Sequence, residues 1–113
     1  MTATDLEKLC LGFKGVTRDI KWGNDLCYSV GKKMFCVTSV EGMKYVSFKA
    51  TPEEFGELIE RVGIIPAPYS ARHHWVLVEN MKALRPKEWK ERIQASYDLV
   101  FEKLPGKMKN SIR

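Results

Sequence analysis

Leu6, Leu9, Cys10 and Phe13 fall on one face at helical spacing, so the chain opens on an amphipathic helix. Thr4 reads as its N-cap, and Glu7 three residues on completes a capping box. Gly12 and Gly15 end it. From Trp22 the apolar period drops to two: Leu26, Tyr28 and Val30 alternate with Cys27 and Ser29, the pattern of a half-buried strand. Gly31-Lys32 reads as a two-residue hairpin turn, with glycine first as type II′ requires. Lys33 to Val40 then returns as a second strand. Glu41-Gly42 turns again, and Met43 to Lys49 is a third. These three make an antiparallel meander.

Thr51-Pro52-Glu53-Glu54 marks the next helix start, with Thr51 as N-cap, Pro52 at the first helical position and Glu54 closing a capping box. Phe55, Leu58, Ile59 and Val62 form its apolar stripe, and Gly63 is the expected C-cap. Pro66 and Pro68 predict an extended loop. His74 to Val78 reads as a fourth strand, in which Trp75 and Leu77 oppose His74, Val76 and Val78; the pattern alone allows either face to be the buried one. Pro86 starts the last helix, with Trp89, Ile93, Ser96, Tyr97, Val100 and Leu104 along one face. Pro105-Gly106 stops it, and residues 107–113 read as a mobile basic tail. The sum is an α+β fold, one small domain over 1–113, with an antiparallel sheet (a meander plus a further strand) packed by helices.

The 113 residues suit one domain, and 44% apolar with 29% charged residues is globular composition. No run of about 18 apolar residues suggests a membrane span, and the N-terminus has no signal-peptide pattern. With the odd cysteine count of Cys10, Cys27 and Cys36, this predicts a cytoplasmic chain with free thiols. His73 and His74 are adjacent, which sends them to opposite faces of a strand, so no metal site is expected; nothing implies a cofactor. The net charge of +5 favours a polyanionic partner.

That charge gathers at a few places. Lys32 and Lys33 sit at the hairpin tip, where a two-stranded ribbon meets the phosphates of a DNA groove; the alternative is an exposed turn made soluble by lysine. Lys44 and Lys49 on the neighbouring strand, and Arg72 and His73 before the fourth, extend the candidate surface. Lys14, Arg18 and Lys21, diluted by Asp19 and Asp25, read as a solvated loop. Trp22, Trp75, Trp89, Tyr69 and Tyr97 raise base stacking, although the helical spacing of Trp89 and Tyr97 assigns those two to the core. Tyr69, His74 and Trp75 are the candidate lining of a ligand pocket. His73, His74, Asp98 and a cysteine are the residue types of a nucleophilic site, but no spacing brings them together, so no catalytic residue is assigned.

Counting out from a two-residue turn, Val30 faces Lys33, Tyr28 faces Phe35 and Cys27 faces Cys36. Opposed cysteines at a non-hydrogen-bonded position have Cα atoms about 4.5 Å apart, the short end of the disulfide range. Two packed thiols are the favoured account in a reducing compartment, and a slip of one residue abolishes the pairing.

Several stretches also resemble the MmcQ/YjbR family: Gly15-Val16-Thr17-Arg18-Asp19, Trp22-Gly23-Asn24-Asp25, Val30-Gly31-Lys32-Lys33-Met34-Phe35 and Phe48-Lys49-Ala50-Thr51-Pro52-Glu53. Pro68-Tyr69, His74-Trp75, Ser96-Tyr97-Asp98-Leu99-Val100 and Lys103-Leu104-Pro105 continue it, so that it spans Leu6 to Lys107. Gly106 departs from the lysine common there. The resemblance implies a YjbR-like fold related to a phage "double wing" DNA-binding domain and, more distantly, to frataxin-like and secretion-chaperone-like folds. It therefore implies a DNA-binding or regulatory module that contacts double-stranded DNA through a basic wing. The alternatives are a protein partner held on an edge strand or open sheet face and, behind it, a small-ligand or enzymatic domain.

Overall fold

The computed structural model describes residues 1–113. Helix α1 spans Ala3–Leu11 and begins two residues earlier than the capping-box reading at Thr4. Thr2 is the cap: its Oγ1 accepts from the Asp5 N–H at 3.1 Å, and Asp5 Oδ2 accepts from the Thr2 N–H at 3.0 Å. Aspartate thus does the work expected of Glu7, which instead pairs with Arg18 at 3.2 Å.

Six strands form one antiparallel sheet: β1 Val16–Lys21, β2 Asp25–Val30, β3 Lys33–Ser39, β4 Val46–Lys49, β5 Ile64–Pro66 and β6 Trp75–Val78. Their spatial order is β1-β2-β3-β4-β6-β5. Two of them are additions to the expected sheet. β1 occupies the segment read as a loop; it carries only Val16 and Ile20 as large apolar residues, because an edge strand needs little burial. β5 lies on the opposite edge, where Pro66 withholds no ladder hydrogen bond from a further neighbour.

The hairpin between β2 and β3 is type I′ rather than II′, since Gly31 and Lys32 both have positive φ, 58° and 67°. Near the turn the expected register holds, Val30 opposite Lys33 and Ser29 opposite Met34. It then shifts: Tyr28 faces Cys36 and Cys27 faces Val37, leaving Phe35 as a bulged extra residue. The expected Cys27–Cys36 pair is therefore absent, and the two thiols lie on opposite faces of the sheet. The bulge lets both Phe35 and Cys36 enter the core, which strict alternation forbids. Cys36 packs against the Cys10 thiol of α1, and that contact together with burial raises its pKa well above the ordinary thiol value.

Helix α2 spans Pro52–Leu58 with the expected Thr51 cap and Glu54 capping box. It ends before Val62, which is 93% exposed and not part of an apolar stripe. Helix α3, Pro86–Glu102, buries Trp89, Ile93, Ser96, Tyr97 and Val100 as its spacing predicts. Residues 107–113 are not a free tail: Gly106–Ile112 form helix α4, with Met108 and Ile112 packed on the core.

One face of the sheet carries Tyr28, Val30, Cys36, Val46, Phe48, Val76 and Val78, and these meet Leu6 and Cys10 of α1, Leu58 of α2, and Trp89, Ile93 and Tyr97 of α3 in a single core. The ambiguity at β6 is thereby resolved, with Val76 and Val78 inward and Trp75 and Leu77 outward. Phe13, Phe35 and Tyr97 close the core with ring centroids 4.7–6.0 Å apart. The Ser96 hydroxyl, fully buried, donates to the Phe35 carbonyl at 2.6 Å and accepts from the Lys49 N–H at 2.9 Å. It supplies partners to two backbone groups that the bulge and the end of β4 leave outside the ladder.

Two predictions follow from these contacts. A Cβ at Gly31 would stand 2.6 Å from Met108 Sδ and 2.7 Å from Leu104, on a backbone already in the left-handed region. Gly31→Ala is expected to cost about 1–3 kcal/mol in urea unfolding, with only part of the steric share recovered in a Gly31→Ala, Met108→Ala double variant relative to Met108→Ala alone, because Leu104 still blocks the site. Glu88 accepts from Arg61 Nη2 at 2.7 Å and from the Arg85 N–H at 3.1 Å, and these bonds lower its pKa to about 2. Its folded pKa lies below the unfolded one, so the stabilisation is present above the unfolded carboxylate value and fades as pH falls toward 2. Glu88→Gln should cost about 1 kcal/mol at neutral pH, discounted for solvent screening at this surface pair, and the gap to the unsubstituted protein should close on acidification.

Candidate functional site

The second face of the sheet has no helix on it. Its centre carries Met34 and Val37 of β3, Ser47 of β4, and Trp75 and Leu77 of β6. The β1–β2 turn brings Trp22 to one side, and the β5–β6 connection brings Pro68, Tyr69 and Ser70 over the other. Together they enclose a groove of about 520 Å³, within the ~300–1,000 Å³ range of ligand clefts. At its β2 side the Tyr45 hydroxyl donates to Asp25 Oδ1. Trp22 is 71% exposed and Tyr69 is fully exposed, and both adopt left-handed backbone, φ 54° and 68°.

A second groove of about 440 Å³ adjoins the first and shares Met34, Ser70 and Trp75 with it. It runs between the ends of β3 and β4 and the C-terminal end of α3, and its charged lining is Lys33, Lys49 and Lys103. No carboxylate lines it, and none of the three ammonium groups takes part in an ion pair. Burial lowers the pKa of Lys49, and the nearby Lys103 charge lowers it further. The groove thus gathers three lysines with no ion-pair partner among them, although Lys103 also borders a neighbouring cleft that carries Glu54, Asp98 and Glu102.

The candidates read from sequence divide cleanly against this geometry. Lys33 and Lys49 line the basic groove. Lys32 is exposed at the hairpin tip beside it. The tip itself is no free ribbon, because Gly31 packs under Leu104 and Met108. Arg72 and His73 lie exposed in a 3-10 turn just before β6, at the sheet end where Lys49 pairs with Trp75, but they do not line the groove. Lys44 is separated from the rest: the β3–β4 turn places it at the other end of the sheet, where its N–H donates to Ser39 Oγ. The pocket trio also splits. Tyr69 and Trp75 share the open face, whereas the His74 ring meets Phe55 of α2 edge-on at 5.6 Å and contributes to neither groove. Cys27 is buried by β-sheet neighbours and its pKa is raised by that burial.

Lys103 and Ser70 line the basic groove without having been site candidates by residue type or motif. Lys103 follows α3 as its C-cap, a position where a cation is explained by the helix dipole alone, so nothing in the local pattern set it apart. Its place beside Lys33 and Lys49 arises only from the packing of α3 across β3 and β4.

A family model described as YjbR matches residues 11–99. The chain belongs to the YjbR family. Among solved structures, this YjbR chain is similar to the Deinococcus radiodurans protein DR2400, with a TM-score of 0.86, 22% identity, and coverage of 98% of this chain and 87% of that one. It is also similar to a protein from Pseudomonas syringae, with a TM-score of 0.69, 20% identity, and coverage of 88% of this chain and 99% of that one. At these identities the likeness concerns the fold. No curated protein matches the chain. No helix is long and apolar enough to cross a membrane.

Proposed function

We propose that this YjbR chain is a binding module rather than a catalyst, and that it holds the phosphate backbone of DNA at the basic end of its open sheet face. The observation that carries this reading is the groove lined by Lys33, Lys49 and Lys103 with no acidic residue among them. Lysines packed together without partners repel one another, and an anion removes that cost. Lys32 at the tied hairpin tip and Arg72 at the same sheet end extend the positive surface outward. In this reading the hairpin acts as one wall of a basic groove and not as a projecting wing.

A second reading, a protein partner, is favoured by the apolar centre of the same face, where Trp22 and Tyr69 are exposed. The two readings part on salt. Phosphate binding releases counterions, so its affinity falls linearly on a log–log salt plot with a slope near 0.9 per neutralised phosphate on duplex DNA.

Fluorescence anisotropy with labelled random-sequence DNA, duplex and single-stranded, across a salt series and with heparin as competitor, tests the proposal. Binding with a steep salt slope is expected. Lys33→Ala, Lys49→Ala and Lys103→Ala should each weaken it and flatten the slope by about one, while Lys44→Ala, at the far end of the sheet, should leave it unchanged. Absence of binding to both forms at low salt would remove the DNA reading and leave the protein partner.

A further inference from the structure

The basic groove does not stop at its lysines. It continues across Trp75 into the larger groove of the open face, where Tyr69 and Trp22 stand exposed. A lysine cluster and an aromatic surface therefore lie along one continuous track. Such an alternation suits a ligand that itself alternates anionic and flat aromatic groups, and a single nucleic-acid strand is that ligand. A duplex offers the same phosphates but keeps its base faces stacked inside the helix, out of reach of a side chain lying on a sheet.

A second observation concerns the cost of presenting these aromatics. Trp22 and Tyr69 are both held at positive φ, a conformation that disfavours bulky residues by about 1–3 kcal/mol each. Neither gains burial in return, with Trp22 71% and Tyr69 fully exposed. Both rings therefore stand at the open face with their surfaces free for a partner. Resting on the DNA reading above, and going beyond it, we infer that the open sheet face binds single-stranded nucleic acid, with phosphates at Lys33, Lys49 and Lys103 and unpaired bases stacked on Trp75 and Tyr69.

Mechanistically, the two parts do different jobs. The lysines supply most of the affinity and all of its salt dependence, without regard to base identity. The rings supply the discrimination between single and double strand, since only unpaired bases have free faces. Little sequence preference is expected, because the groove offers few hydrogen-bonding side chains, Ser70 and Ser47 among them, to read a base edge.

Competition between a short oligothymidylate and a random-sequence duplex of equal length, followed by anisotropy and by tryptophan quenching, tests the inference. The single strand should bind at least about 10-fold tighter than the duplex and quench the protein's fluorescence. Trp75→Ala should weaken the single strand about 10-fold or more, with Trp75→Phe retaining most of the affinity. Tyr69→Ala guards against a folding artefact, because a fully exposed side chain can be removed without disturbing the core; it too should weaken the single strand and leave the duplex unchanged. Equal affinity for both forms, or unchanged single-strand binding in both alanine variants, would overturn the stacking inference while the lysine variants could still uphold DNA binding. Salt-dependent binding to neither form would overturn both together.

Discussion

The buried hydroxyl of Ser96 stands between the two halves of this molecule. It donates a hydrogen bond to the carbonyl of Phe35, the residue bulged out of β3, and accepts one from the N–H of Lys49, just beyond the last pair of β4 with β3. Both backbone groups lie at the sheet end nearest α3, away from water, and each would otherwise be an unmet polar group costing about 1–3 kcal/mol. One serine on a helix therefore permits a bulge in one strand and fixes the last residue of another. The bulge places Phe35 against Tyr97 and Phe13 and shifts the hairpin register. The fixed β4 terminus carries Lys49 into the groove beside Lys103. Core packing and surface charge meet at a single hydroxyl.

Helix α4 completes the arrangement from the other side. It lies over two turns, one at Gly15 and one at Gly31, and at both a Cβ would collide with it, with Ile112 at 2.8 Å in the first case and Met108 at 2.6 Å in the second. The hairpin tip is held at its base by a helix that the sequence presents only as a short basic stretch after Pro105-Gly106. This tethering converts a candidate wing into a groove wall, and it makes the spacing of Lys33 from Lys103 a property of the packed domain.

What was legible in the sequence follows from what is local. The cap at Thr51, the buried stripe of α3 and the two-residue turn at Gly31-Lys32 each depend on residues a few positions apart, and each appears where its pattern places it. The edges were illegible for the same reason. β1 and β5 bury little, so charge in one and proline in the other outweighed any period. The Cys27–Cys36 pairing was lost to a bulge whose carbonyl finds its partner in Ser96, 61 residues away in sequence. The site behaved likewise. Lys33, Lys49, Tyr69 and Trp75 were candidates by residue type, but only the topology separates them from Lys44 and His74, and only α3 adds Lys103.

The two grooves draw on strands and loops from Trp22 to Leu77 and on the end of α3 from Leu99 to Leu104. The meander that carries Lys33 pairs strands that are neighbours in sequence. Trp75 reaches its place only when β6 inserts between β4 and β5, and Lys103 only when α3 crosses the finished sheet. A chain interrupted partway in synthesis or clipped within α3 thus retains scattered positive charge but no track. The two-groove surface is therefore complete only when β6 and α3 have both packed onto the meander, so its geometry is a property of the assembled sheet and helix together.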